Sequence, residues 1–365
     1  MSFSLLGKSM MLLALASFLP GWFLFNTTSA QANTWWPTSG PKLAGCQMFP
    51  TDNIWNYDIS NLPVHPNSSN YIASMGVSGQ LHADFGAPVA GYAPPGIGYA
   101  VVPGNQPTVP VQFMYASQSD PGPYPIPANA PIEGGPNGQF DRHVLVVNSG
   151  TCKLYELWDA FPQPGGSWKA GSGAVWDLNS DTLRPLYWTS ADGAGLPILP
   201  GLVRYDEVAA GVINHALRVV ANTTQMAFLW PARHFASNST NPNLPPMGLR
   251  LRLKASFDIS SFPKTVQVIL TALKHYGMFV ADNQGVTSWI ITGAPDPRWN
   301  NFDLNTLGKV HGSDFDAIDE SFLQSSPNSA QVKMRAIPHQ PVKPPPTKRY
   351  CKAYQFDESI DRPIS

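Results

Sequence analysis

Residues 141–161 run DRHVLVVNSGTCKLYELWDAF, with Asp141 and His143 two positions apart before one apolar run and Glu156 and Trp158 two apart within the next. Side chains alternate across a strand with period two, so each pair shares a face. A turn at Ser149–Gly150 sets Asn148 against Thr151. The pairing then brings Val147 to Cys152, Leu145 to Leu154, His143 to Glu156 and Asp141 to Trp158. An imidazole beside a carboxylate, with a second carboxylate and an indole next to it, suits general acid/base chemistry. The competing reading of the same residues is a solvated pair at a strand end, which contributes little to stability.

Other residues offer comparable chemistry. Glu207 follows Asp206 after GLVRY, and His215 opens the next strand. Both are catalytic candidates. Glu207 equally suits the N-terminus of a helix, where a carboxylate is favoured, and His215 shares a face with Leu217 and Val219, as a core histidine would. In WPARH, Trp230 and Arg233 sit with His234 at a strand end; Trp beside Arg suits a sugar, and is also a common packing pair. Asp192 in SADGAG either binds substrate or forms an Asx turn.

Several chemistries find no support. No nucleophile elbow, HExxH motif or paired CxxC occurs, so neither a serine hydrolase of that type nor a zinc site is indicated. There is no phosphate-binding loop or dinucleotide fingerprint, and DNQGVTSW falls short of calcium-loop spacing. No metal or cofactor is expected. A net charge of −1 gives no electrostatic footprint for nucleic acid.

The elements that must position these groups read as strands. The chain has 37 Pro and 30 Gly, which divide it into short runs, and 11 Trp, 12 Tyr and 18 Phe, enough for a sizeable core. GYAVVP, VPVQFMYA, GSWKAGSGAVWDL and MGLRLRL are strand-like. HALRVVANTTQMAFLWPARH reads as a hairpin, with Leu217, Val219 and Ala221 matched to Met226, Phe228 and Trp230 across NTTQ. MFVAD, NQG and VTSWIIT read as strand, turn and strand, and residues 119–138 as a long Pro-rich loop. Short helices are expected at Ser69–Met75 and from Tyr205. A longer one is expected in PKTVQVILTALKHYG, where Val266, Ile269, Leu270 and Leu273 recur at helical spacing between Pro263 and Gly277. Helices do not alternate with strands, so the expected fold is mainly β: an antiparallel two-sheet sandwich or jelly roll with one or two peripheral helices.

Lys8, the run MMLLALASFLPGWFLF and Ala30–Gln31–Ala32 form a secretory signal with cleavage before Asn33; an uncleaved anchor is the alternative, but Pro20 interrupts the run. The expected order is a signal peptide (1–32), a lead-in (33–45), a β-rich domain (46–322) and a disordered Pro-rich tail (323–365). The location is then extracellular or periplasmic, with no membrane span in the mature chain. In that oxidising setting Cys46 and Cys152 are the favoured disulfide, since Cys351 lies in the tail. A free buried cysteine is the alternative.

DRHVLVV with YELWDAF, GLPILPGLVRYDEVAAGVINHALR, WPARH, PPMGLRLRL and LKHYGMFVADN together resemble a family of secreted bacterial proteins. Its members share D-x-H before a strand, E-[LF]-W on the next, G-x-I-x-HAL, WPA, and YGM followed by Asp. The resemblance spans residues 46–300 and falls on Asp141, His143, Glu156, Trp158, Glu207, His215, Trp230 and Asp282. It implies a common fold and an extracellular address, and no particular reaction.

The leading functional expectation is a secreted carbohydrate-active enzyme that cleaves a polysaccharide by acid/base catalysis. A glycoside hydrolase would pair Glu156 with Asp141 or Glu207. A polysaccharide lyase would use His143 as base, with Arg233 neutralising a substrate carboxylate. Trp158, Asp192, Trp230 and Arg233 would hold the sugar. The alternative is a non-catalytic protein that binds a polysaccharide or cell-surface glycan through the same aromatic surface. A structural extracellular protein is the third reading.

Overall fold

A computed structural model describes residues 40–139, 141–283 and 289–333. The expected signal peptide, Cys351 and the chain from residue 334 lie outside the described residues. Among the described residues no helix is long and apolar enough to cross a membrane.

The strands in chain order are β1 (Lys42–Leu43), β2 (Cys46–Gln47), β3 (His82–Asp84), β4 (Tyr99–Val102) and β5 (Val111–Phe113). There follow β6 (Val144–Asn148), β7 (Lys153–Trp158), β8 (Phe161–Pro162), β9 (Trp168–Ala170) and β10 (Ser172–Asp177). The last five are β11 (Leu217–Ala221), β12 (Arg250–Leu253), β13 (Met278–Asn283), β14 (Ile290–Thr292) and β15 (Phe315–Ile318). The helices are α1 (Ser68–Met75), α2 (Tyr205–Ala209), α3 (Lys264–His275) and α4 (Asn301–Leu304).

The fold is mainly β, with packed sheets and peripheral helices. One sheet runs β10-β7-β6-β4 and a larger one β15-β12-β13-β11-β14-β3; β5-β9-β8 forms a third. Leu145, Val147 and Leu154 share a core with Leu217, Val219 and Leu251 of the six-stranded sheet. Val144, Val146 and Leu157 turn the other way, onto Trp168 and Ala170 of the small sheet. The four-stranded sheet is thus buried on both faces, which is why VLVV is apolar throughout instead of alternating. Helix α3 buries Val266, Ile269, Leu270 and Leu273 as its periodicity requires.

Pairing is mixed. The neighbours β11 and β13, β14 and β3, β4 and β6, and β5 and β9 run parallel; the other neighbouring pairs are antiparallel. The expected turn at NQG lies largely outside the described residues, and the hairpin expected across NTTQ is absent. β11 pairs with β13 and β14 on its two sides, so it separates the strands expected to flank a turn at NQG. Residues 226–230 form no strand, and Phe228 makes only an isolated bridge to Met247. β-Branched residues and burial on both sides of β11 favour a central position over a local hairpin.

The disulfide joins Cys46 to Cys152 with Cα atoms 5.3 Å apart, tying β2 to the turn before β7. The body also reaches beyond residue 322. Gln331 bridges Asn53, Ser329 bridges Thr182, and Val332 is buried, so packing and not disorder governs residues 323–333.

The β6–β7 register departs from the expected one by two residues. Leu145 pairs with Glu156, Val147 with Leu154 and Asn148 with Lys153. Ser149 to Cys152 form the turn. Asn148 Oδ1 accepts from the N–H groups of Gly150 and Thr151, both at 3.1 Å, and Cys152 adopts a φ of 50° outside the ladder. A shift of two preserves the face of every side chain. Glu156 therefore stays on the His143 face but moves one pair inward, opposite Leu145 instead of His143.

Candidate functional site

A cleft of about 460 Å³ opens between the ends of the two large sheets. Asp141, His143 and Trp158 reach it from the β6–β7 side, with Glu133 from the long Pro-rich loop. Asp84, Arg218, Asp282 and Thr292 reach it from β3, β11, β13 and β14. The segment 189–193, His234 and Tyr115 also line it. A larger hollow, about 760 Å³, runs along the outer edge of β3; His82 is the only ionisable residue in its lining.

His143 is buried, and both ring nitrogens are engaged. Nδ1 lies 2.6 Å from Glu133 Oε2, and Nε2 lies 2.9 Å from Ala191 O. A carbonyl only accepts, so Nε2 carries a proton. Although burial opposes it, Glu133 and then Asp141 push His143 up to about 9. Glu133 is held below its ordinary value by His143, again against burial. The pair is an imidazolium and a carboxylate, and His143 presents no lone pair to a bound molecule. The expected base is a fixed internal cation. Glu133, Asp141 and His143 also bring ligand-type atoms within 4.8 Å of one another. With both imidazole nitrogens protonated, that set fits a shared proton better than a metal ion.

Arg142 explains how the loop holds Glu133 in place. Its guanidinium donates to the carbonyls of Ala160, Pro136 and Gly138 and stacks on Phe161, with Cζ 4.3 Å from the ring centroid. Its φ of 49° turns Asp141 outward and His143 inward. Asp141 Oδ1 accepts from the Trp158 indole N–H at 3.2 Å, so the expected Asp141–Trp158 contact is present. Tyr115 stacks on Trp158 with centroids 6.3 Å apart.

Asp192 lies at the cleft floor. Its Oδ2 accepts from Arg218 Nη2 at 2.9 Å and Nε at 3.2 Å, while Arg218 Nη1 donates to Thr292 Oγ1 at 3.0 Å. Burial pushes Asp192 up to about 7 against the pull of Arg218. Asp282 is also raised by burial, and its Oδ1 accepts from Asn283 N–H at 2.8 Å. Asp84 is raised by burial and then by Glu133; its carboxyl makes no hydrogen bond or ion pair among the described residues. His234 Nδ1 lies 3.0 Å from Gly193 O and donates to it.

The other expected site residues lie elsewhere. Glu156 is wholly buried outside the cleft lining. It accepts from the N–H groups of Ile198 and Leu199 at 3.0 and 2.9 Å and from the Trp176 indole at 2.9 Å. Its complete burial among those donors keeps it out of reach of a substrate in the cleft. Glu207 binds Arg204 Nη2 at 2.8 Å and His215 Nε2 at 3.1 Å in a buried trio away from the cleft. Trp230 donates to Ser329 O, and Arg233 spends its guanidinium on Arg184 O, Pro327 O and Asn328 Oδ1. These are packing roles, set by burial that long-range pairing imposes.

The chain's pattern does not mark Asp84, Glu133 or Arg218 as site residues; Asp282 enters only through the resemblance, and His234 only beside Arg233 in WPARH. Arg218 had a signal: a guanidinium inside the apolar run HALRVVA must be paired when buried. Asp84 and Glu133 lie in short or irregular segments with no periodicity to mark them. No protein-family model matches the chain, and neither a curated protein nor a solved structure matches it.

Proposed function

We propose that the protein is an extracellular hydrolase of a neutral or amino-sugar glycan, with Asp84 as proton donor and Asp141 as general base or nucleophile. One observation carries this reading. An unpartnered, half-buried carboxyl on β3 and an exposed carboxylate beside β6 line the same cleft from opposite sheets, next to the Trp158 ring. Two carboxyls in unlike environments divide the acid and base roles. Asp84 gives its proton to the glycosidic oxygen as the C–O bond breaks. Asp141 either takes a proton from the attacking water or attacks the anomeric carbon itself. Arg218 and His143 are each neutralised by an internal carboxylate, Asp192 and Glu133, and Arg233 is outside the cleft. Among the described residues, the two paired cations of the cleft are thus engaged internally and not offered to a uronate, which favours hydrolysis over elimination.

The test is reducing-end release from neutral and amino-sugar polysaccharides. Asp84→Asn and Asp141→Asn should each lower the rate by about 10²–10⁴ while the fold survives. Unaltered rates in both variants would overturn the assignment. Glycan binding without release would favour the non-catalytic reading, for which the Trp158–Tyr115 surface is the supporting observation.

A further inference from the structure

The cleft is continued on its far side by a row of aromatic rings. His234, in the lining, stacks on Phe235 with centroids 5.8 Å apart and ring planes 9° apart. Phe235 stacks on Phe228 at 6.4 Å and 17°. Phe228 meets Tyr187 edge-on at 5.6 Å. Tyr187 is 59% exposed, yet it is held with a φ of 68°, a conformation unfavourable for a bulky residue. Its N–H donates to Arg233 O at 2.8 Å, and the Arg233 guanidinium holds Arg184 O three residues before it. Strain of this kind persists only where the surroundings impose it, and it concentrates at binding sites. On the near side, Arg142 and Asp159 also have positive φ, of 49° and 53°, flanking Asp141 and Trp158.

We infer that the cleft is the middle of a longer groove that binds a linear glycan, entering over Tyr115 and Trp158 and leaving over Phe235 and Tyr187, so that cleavage is internal to the chain. The inference rests on the glycan reading above and adds the polymer and its path. The rings are continuous with the cleft, and their faces suit the apolar faces of successive sugar units. An exo-acting pocket for a terminal sugar would need no exposed ring beyond His234.

The experiment uses soluble ladders of linear β-linked oligosaccharides of glucose, xylose, mannose and N-acetylglucosamine. Affinity is read by calorimetry on the Asp84→Asn protein, and product lengths on the wild type. Affinity should rise with length, and Tyr187→Ala should weaken the long members about 3- to 10-fold, leaving short ones unchanged. Tyr187→Trp should restore the long-chain gain. Products of intermediate length should appear first in the wild type. Length-independent affinity, an unaffected Tyr187→Ala protein, or release of single terminal units would overturn the groove while leaving the hydrolase reading intact. Failure of every ladder to bind or be cleaved would overturn both.

Discussion

Glu133 Oε2 lies 2.6 Å from Nδ1 of His143, and the opposite ring nitrogen lies 2.9 Å from Ala191 O. This clamp joins the Pro-rich loop, the start of β6 and the 189–193 segment through one charged ring. Its proton is therefore part of the architecture of the cleft.

That proton gives stability a defined pH dependence. His143 has a folded-state value of about 9, above the ordinary 6.5. Its contribution is complete below pH 6.5 and is lost as pH rises through 9, by up to about 3 kcal/mol. Asp192 and Glu320, the buried partner of Arg250 at 3.0 Å, are both raised to about 7 by burial and also lose their contributions with rising pH, but over windows that begin at their lower ordinary values and end near neutrality. Urea unfolding of the wild type should show falling stability between pH 7 and 9, and His143→Gln should flatten that slope. Equal slopes in the two proteins would assign the loss to other groups.

Glu156→Gln should behave as a fold mutation. The buried carboxylate accepts from three N–H donors, and an amide nitrogen placed among them must face a donor. A cost of about 1–3 kcal/mol is expected. Specific activity of the folded fraction should be unchanged, measured alongside circular dichroism.

Gly171 is the seat of Trp158. A methyl at Gly171 would overlap Cε3 and Cζ3 of Trp158, so Gly171→Ala must lift the ring from the cleft wall. Glycan affinity should fall about tenfold, the value of one good aromatic contact. Quenching of tryptophan fluorescence by ligand should fall with it. Gly193→Ala provides a contrast, since its methyl would lie 2.7 Å from Asp282 Oδ1 and disturb the carboxyl instead of the ring.

The disulfide predicts one alkylatable thiol, Cys351, in the unreduced protein by intact mass. Cys46→Ala should cost about 2–5 kcal/mol, because the bond closes a loop across 106 residues of sequence. Three modified thiols would contradict the pairing.

Local chemistry was legible in the chain, and long-range geometry was not. Helix α3 follows from Val266, Ile269, Leu270 and Leu273, and the β6–β7 hairpin from its apolar runs. Asp141, His143, Trp158 and Asp192 line the cleft. The position of Glu156 hung on a turn of four residues instead of two, decided by the Asn148 side chain and by a disulfide partner far away. Asp84 and Arg218 became part of the site only through pairing of β3, β11 and β14, which no local pattern encodes.

The same strand order sets a timetable. β11 waits for β13 and β14, and β3 waits for β14, so Asp84 and Arg218 leave the ribosome well before their neighbours exist. Until Ile290 to Thr292 follow, both strands carry open edges, and pairing at such separation is slow. The cleft is among the last features to close. A chain halted before Ile290 would lack the strand that pairs β3 into the wall carrying Asp84.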